Sequence, residues 1–171
     1  ISDKYNSYKS LKNAFITIEG DRKYINEVKL FIESLGNKTK VLEKSDKTLY
    51  HLASVISSNL IIGLINISLN YLKEYGFTEK EAINALYPLI KENIEGINNK
   101  GVINSLTGPV ERGDFNTINR HLLNIKEEDK DIYISLSNKI LSLALEKNKD
   151  RDYGKIREIL GGIYEEHSGY F

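Results

Sequence analysis

The chain has 171 residues, enough for one domain or slightly more, and its 24 lysines and arginines are balanced by 24 aspartates and glutamates. A net charge of zero argues against a nucleic-acid-binding protein, whose affinity depends on a basic surface. The absence of cysteine excludes disulfides and thiolate metal sites, and with no secretory signal in the polar first residues we expect a cytoplasmic location. Methionine is absent as well, so we expect either a processed chain or a fragment, and we favour the fragment.

The N-terminal part predicts a strand, a helix and a second strand. Residues 14–19 (AFITIE) predict the first strand, and after a turn at Gly20 and Asp21 apolar residues recur at helical spacing over 24–35. Residues 40–43 (KVLE) predict the second strand. A βαβ unit pairs its strands in parallel, and parallel sheets rarely consist of two strands. We therefore expect the unit to complete a larger sheet whose earlier strands precede this chain. The alternatives are a small α+β domain and a strand exchange between chains.

The remainder predicts helices. Residues 48–72 contain no Asp, Glu, Lys or Arg, but serines and asparagines interrupt them, which favours a central helix wrapped by other helices over a membrane span. Gly76 should end this helix. A capping box at 78–81 should begin the next helix, which Pro88 should kink and Gly101 should end. Three further helices are predicted before a tail that starts at Gly161: 114–123, 127–147 and 151–160.

The most informative stretch is the loop LTGPVERGD, residues 106–114. Gly108 and Gly113 permit unusual backbone angles, and Asp114 is suited to cap the helix that follows. Arg112 presents a planar fork of five donors that matches a carboxylate or a phosphate. Function is often found in loops that hold polar groups between rigid elements. On the local pattern alone, a plain helix connector with a good cap is an equal alternative.

Three other polar residues are candidates for chemistry. His51 and Asn59 lie on the predicted central helix, on one face and about 80° apart. They would line a cleft, with the histidine exchanging a proton near neutral pH and the asparagine holding a ligand. The alternative is a buried histidine bonded to a backbone carbonyl and an asparagine bonded to a neighbouring helix. His121 shares a helix face with Asp114 and would support the loop or a substrate, or else be a surface or interhelical histidine.

The sequence predicts neither a metal site nor a cofactor motif. A site made of His51, His121 and Asp114 lacks the support of a His-x-x-x-His pair or a carboxylate cluster. The sequence contains neither G-x-G-x-x-G nor a Walker motif, so the chain carries no dinucleotide fingerprint of its own.

Two motifs at this separation resemble those of one bacterial group. YHLASVISSN at 50–59, followed by SLTGPVERGD at 105–114 and by His121, resembles Rossmann-like NADP-dependent oxidoreductases related to pyrroline-5-carboxylate reductase and ketopantoate reductase. The similarity is to their helical C-terminal domain, a domain of unknown function. FITIEGD at 15–21 is similar to the last βαβ portion of the Rossmann half, and the resemblance covers nearly all of residues 10–125.

The resemblance implies a mainly α fold. This would be a helical bundle of the 6-phosphogluconate dehydrogenase C-terminal-like type, preceded by a βαβ remnant of a Rossmann domain. Residues 1–44 would end a Rossmann-like NADP-binding domain, and residues 45–171 would form a helical substrate and dimerisation domain. NADP would be bound mainly by the missing N-terminal domain. The expected partners are a second copy of the chain and a small anionic metabolite.

One departure from the relatives concerns catalysis. The ketopantoate and hydroxy-acid dehydrogenase relatives carry a catalytic lysine one turn before the helix asparagine, and the matching residue here is Val55. The resemblance implies that Asn59 keeps the role of the relatives' asparagine. The role of the lysine has no counterpart at Val55, and His51 is the nearby group able to replace it. The hypothesis is hydride transfer to or from a small carbonyl, imine or hydroxy acid, with His51 moving a proton and Asn59 orienting the substrate. The alternative is a non-catalytic dimerisation or ligand-sensing module. The residues expected to bind substrate are Thr107, Arg112, Asp114 and His121.

Overall fold

The structure is a computed structural model that describes Leu11, residues 14–42 and residues 47–161. The chain divides into two compact units, residues 1–63 and residues 64–171. The domain boundary predicted after residue 44 stays a prediction. The described part is mainly helical, as predicted, with one pair of strands, and its elements are β1 (Phe15–Ile18), α1 (Arg22–Ser34), β2 (Lys38–Val41), α2 (Lys47–Ser57), α3 (Asn59–Glu74), α4 (Glu79–Ser105), α5 (Pro109–Arg112), α6 (Phe115–Asn124), α7 (Glu127–Lys147) and α8 (Gly154–Ile159).

Strands β1 and β2 pair in parallel around the connecting helix α1, which confirms the predicted βαβ unit. Phe15 lies opposite Lys38 in the register. The side chain of Asp21 accepts a hydrogen bond from the amide of Lys23 at 2.9 Å and so begins α1 as an N-cap. Strand β2 begins two residues earlier than predicted, and Glu43 lies outside the described residues.

The continuous helix predicted over residues 48–72 is wrong, because the structure interrupts it at Ser58. Helix α2 ends at Ser57 and α3 begins at Asn59. The hydroxyls of Ser54 and Ser57 donate to the carbonyls of Tyr50 and Ala53, at 3.0 and 2.8 Å. Such bonds back to the preceding turn compete with the helical ladder and bend helices. The serines that the sequence offered as helix-packing residues thus precede a break.

Taken together, α2 and α3 are long and apolar enough to cross a membrane by length and composition alone. The interruption at Ser58 divides this stretch into helices of 11 and 16 residues. The expectation that other helices wrap this stretch is wrong for the described residues, because Leu69 is the one buried residue of α2 and α3. Many of their apolar side chains are exposed, and such a surface would suit a protein partner. The absence of a membrane span stays a prediction.

Helix α4 begins and breaks where the sequence indicates. The amide of Glu81 donates to the Thr78 hydroxyl at 3.3 Å, and the amide of Thr78 donates to the Glu81 carboxylate at 2.8 Å, which completes the capping box. Pro88 lies inside the helix, and the departure from helical angles comes at Gly101, with φ of 78°. That residue separates the main helix from a short turn that leads into the loop.

The core of the second unit lies directly beneath the loop. Val110, from the short helix α5, is buried together with side chains from α6, α7 and α8. Ile118 and Ala144 are fully buried within this core. The loop is therefore anchored by apolar packing as well as by its backbone. The core cluster comprises Val110, Ile118, Leu141, Ala144, Tyr153, Ile156 and Leu160.

Candidate functional site

The candidate site is the loop of residues 106–114, which contains a single turn of helix. Gly108 has φ of 101° and precedes α5, and Gly113 has φ of 71° and follows it. Side chains rarely adopt such angles, so both positions favour glycine for the reason the sequence suggested. The amide of Asp114 donates to the carbonyl of Pro109 at 2.8 Å and closes the turn. The loop thus has a defined backbone, which the sequence had not predicted to be helical.

A group of side chains between α7 and α8 holds this loop in place. The carbonyl of Glu111 accepts two hydrogen bonds, from Arg151 Nη1 and from the Tyr153 hydroxyl, each at 2.6 Å. Asn148 Nδ2 donates to Glu111 Oε1 at 2.9 Å and also to the Tyr153 hydroxyl at 3.0 Å. We call this group the Glu111 clamp: Glu111, Lys147, Asn148, Arg151 and Tyr153.

The Glu111 clamp also neutralises charge. The Glu111 carboxylate is only 12% exposed, and Lys147 Nζ and Arg151 Nη1 each lie 3.6 Å from its Oε1 atom. The hydrogen bond from Asn148 and the two nearby cations lower the pKa of Glu111, against the opposing effect of burial. Lys147 also donates to the carbonyl of Leu106 at 2.6 Å, so the clamp contacts the start of the loop as well as α5. Sequence reasoning missed these residues.

Replacing Glu111 with glutamine should change how stability depends on pH. Because the pKa of Glu111 in the folded chain lies below its ordinary value of 4.5, the ionised carboxylate stabilises the fold above that pH. This contribution is lost as the pH falls through the lowered value. Urea unfolding from neutral pH to about pH 3 should show that Glu111→Gln is less stable at neutral pH and declines less steeply in acid. A parallel decline in wild type and variant would disprove this, and Glu146→Gln, at an exposed position, is the control.

Arg112 differs from its neighbours because its side chain is free of the core and of the clamp. The side chain is 59% exposed, and its Nη2 atom lies 3.9 Å from Asp114 Oδ2, beyond hydrogen-bond distance. Asp114 itself caps α6, as predicted, and accepts from the amide and the hydroxyl of Thr117 at 3.1 and 2.8 Å. These hydrogen bonds, with smaller contributions from nearby arginines, lower the pKa of Asp114. A rigid loop therefore presents an exposed guanidinium.

The other two predicted substrate residues of this unit have different surroundings. His121 Nδ1 lies 2.9 Å from the hydroxyl of Tyr133 on α7, and the two rings meet edge to face at 5.8 Å. This is the interhelical contact that the sequence left open as an alternative, and a role of His121 with substrate stays a prediction. Thr107 is exposed at the start of the loop. Burial raises the pKa of Tyr133, so its phenol stays protonated at neutral pH.

The two predicted catalytic residues belong to the first unit. His51 lies on α2 and Asn59 is the first residue of α3, and both are exposed. The interruption at Ser58 removes the basis for the predicted shared face, which required one unbroken helix. Val55, at the position of the relatives' lysine, is half-buried. The convergence of His51 and Asn59 with the loop stays a prediction.

A further cleft lies beside the Glu111 clamp. An open cleft of about 720 Å³ is lined by residues 146–151. Its cations Lys147 and Arg151 share the carboxylate of Glu111, and each also donates to a backbone carbonyl of the loop, so both already have partners within the fold. Among the described residues, no group of three or more histidines and carboxylates is placed to hold a metal ion.

A mainly helical domain that follows a parallel βαβ unit, with a glycine-flanked arginine loop over its core, defines the class of this protein. Residues 14–140 match the family described as a domain of unknown function, DUF2520, and the chain belongs to that family. The fold is similar to that of protein TM1727 from Thermotoga maritima, with a TM-score of 0.74 and 25% sequence identity. The match covers 86% of this chain and 60% of that one, so this chain spans less than two thirds of that structure. No curated protein matches the sequence significantly.

Proposed function

We propose that this chain is the substrate-binding and dimerisation part of an NADP-dependent oxidoreductase related to pyrroline-5-carboxylate reductase and ketopantoate reductase. The reaction would be hydride transfer to or from a small carbonyl, imine or hydroxy acid. The observation that carries the proposal is the exposed guanidinium of Arg112 on a loop fixed by the core and the Glu111 clamp. The parallel pair of β1 and β2 supports it, because such pairs usually belong to larger sheets.

The turn between β1 and α1 does not fit the pyrophosphate of a dinucleotide. The Asp21 carboxylate occupies the N-terminus of α1, where a phosphate would otherwise accept amide hydrogens. Glu19 adds a second negative charge to the same turn, where it pairs with Lys47 at 3.0 Å. In this proposal the cofactor is therefore held by residues outside this chain.

The roles proposed for this chain's residues concern the substrate. Arg112 would bind its anionic group, because a guanidinium makes strong paired hydrogen bonds to carboxylate or phosphate. Asn59 would orient the substrate and His51 would move a proton. Val55 in place of a lysine favours a second candidate, a ligand-sensing module without turnover.

The purified chain of 171 residues should fail to bind NADPH tightly, whereas the intact protein should bind it. The reason is that the sequence lacks a glycine-rich phosphate turn and that carboxylates occupy the turn after β1. Fluorescence titration of NADPH against both forms is the measurement. Micromolar affinity of the chain by itself would contradict this prediction, and no affinity of the intact protein would overturn the proposed function.

The chain should form a homodimer through exposed apolar side chains of the first unit. Leu49, Leu52 and Ile56 recur at helical spacing on α2, and each is about half exposed or more. A row of this kind is typical of protein interfaces. Light scattering at micromolar concentration should give a dimer for wild type and a monomer for the double variant Leu52→Asp, Ile56→Asp.

The control for the homodimer experiment is Leu123→Asp, because this leucine is exposed on α6 of the other unit. This variant should remain dimeric. A monomeric wild type would overturn the prediction, as would a double variant that stays dimeric.

A further inference from the structure

A second arginine lies beside the candidate site, and no sequence motif drew attention to it. Arg120 Nη2 on α6 donates to the Thr117 hydroxyl at 3.3 Å, and that hydroxyl donates to Asp114 Oδ2 at 2.8 Å. Arg112 Nη2 lies 3.9 Å from the same carboxylate oxygen. Both guanidinium groups therefore lie near the Asp114 carboxylate, Arg112 directly and Arg120 through the Thr117 hydroxyl.

The positive charges of Arg112 and Arg120 outnumber the negative charge of Asp114. Asp114 is ionised, because hydrogen bonds from Thr117 and the charges of both arginines lower its pKa. Its two oxygens are already used, Oδ1 by the amide and Oδ2 by the hydroxyl of Thr117. Two cations thus face one occupied anion at an exposed position, which leaves a net positive charge of one.

The N–H donors of the two arginines also outnumber the acceptors that they bind. A guanidinium carries five N–H donors. Among the described residues, the Arg112 group makes no hydrogen bond and the Arg120 group makes one long one, to Thr117. Donors in this number, on two planar groups, suit an acceptor with several oxygens and more than one negative charge.

We propose that Arg112 and Arg120 together bind a doubly charged oxyanion, either a phosphate group or the carboxylates of a dicarboxylic acid. This inference rests on the proposed function and narrows its substrate class from an anionic metabolite to a dianionic one. Arg112 supplies a fork of donors from a loop whose backbone is fixed, and Arg120 supplies the second charge. A monoanion would need only one of the two arginines.

A structural role for Arg120 is separable from this one. Exposed pairs of this geometry contribute little to stability, and the bond from Arg120 to Thr117 is long. Both hydrogen bonds that Asp114 accepts come from Thr117, so the cap of α6 is made without a bond from Arg120. We therefore expect Arg120→Gln to leave the melting temperature unchanged.

The test is isothermal titration of the full chain with inorganic phosphate, succinate and acetate, at constant ionic strength and at a pH where phosphate is doubly charged. Arg120→Gln should weaken binding of a dianion by about tenfold or more and change acetate binding little. Arg157→Gln, at an exposed position on α8, is the control and should bind like wild type. A response to phosphate but not succinate, or the reverse, identifies which dianion the site accepts.

Two results would overturn the inference, and they differ in what they say of the proposed function. If Arg112→Gln weakens all three anions while Arg120→Gln weakens none, the site binds a monoanion and the proposed function is untouched. If neither variant weakens any anion, the inference and the anion-binding role of the loop both fail. Equal weakening of acetate and phosphate by Arg120→Gln would also refute a specifically dianionic site.

Discussion

Replacing Ile118 with alanine should lower the free energy of unfolding by about 2–5 kcal/mol, the usual cost of deleting a large buried aliphatic side chain. Ile118 is fully buried on α6, in the cluster that also contains Val110 of the loop and Ile156 of α8. Its loss leaves a cavity between elements that hold the site. Urea unfolding at neutral pH is the measurement, and Ile118→Val should cost about 0.5–1.5 kcal/mol.

Leu123 on the same helix provides the control for Ile118. It is 75% exposed, so Leu123→Ala should change stability by no more than about 0.5 kcal/mol. Equal losses for the two alanine variants would contradict the assignment of the core. If Ile118→Ala has the expected effect, hydrogen exchange should also be faster in the loop, because Val110 loses part of its packing.

Replacing Arg112 with alanine should weaken binding of a small anionic ligand by about 1.5–3 kcal/mol, the value of a lost hydrogen bond to a charged group. The melting temperature should change little, because the side chain is mostly exposed and forms only one distant ion pair. Calorimetric titration of the intact protein with small carboxylates, together with thermal unfolding, measures both effects.

Arg151 is the matched control for Arg112, because it is the arginine that fixes the loop. Arg151→Ala removes a hydrogen bond to the Glu111 carbonyl and a partner of its carboxylate, so it should lower the melting temperature. The opposite pattern would show that the loop is only a connector. In that case Arg112→Ala would destabilise the chain as much as Arg151→Ala does and would leave anion binding unchanged.

Much of the local structure could be predicted because it depends on signals a few residues apart. Asp21, Thr78 and Asp114 cap helices at the predicted places, since a short polar side chain reaches amides two or three residues ahead. Gly101 and Gly113 adopt positive φ angles where turns were expected. Alternating and helical apolar patterns gave the parallel strands and the helices of both units.

The break at Ser58 could not be predicted with the same certainty. No glycine or proline marks it, and the apolar pattern continues from α2 into α3. The competing signal was the pair of serines at 54 and 57, whose hydroxyls bond to preceding carbonyls. Serine side chains also occur in unbroken helices, so the sequence supported both outcomes.

The Glu111 clamp lies beyond the reach of sequence reasoning for a different reason. Its bonds join Glu111 to Asn148, Arg151 and Tyr153, residues some 37 to 42 positions further along the chain. Contacts at such separation depend on how the helices pack, and one sequence carries no record of that. The prediction that Arg112 suits an anionic group needed only its residue type, whereas the fixed backbone of its loop depends on the clamp.

The most direct test of the central claim is turnover by the intact protein. NADPH oxidation should be measured with a panel of small anionic carbonyl and imine compounds, for wild type and for Arg112→Ala. The proposal predicts turnover of at least one compound by wild type, with a raised KM in Arg112→Ala. Binding of NADPH without turnover of any compound on the panel would contradict it and would favour a ligand-sensing module.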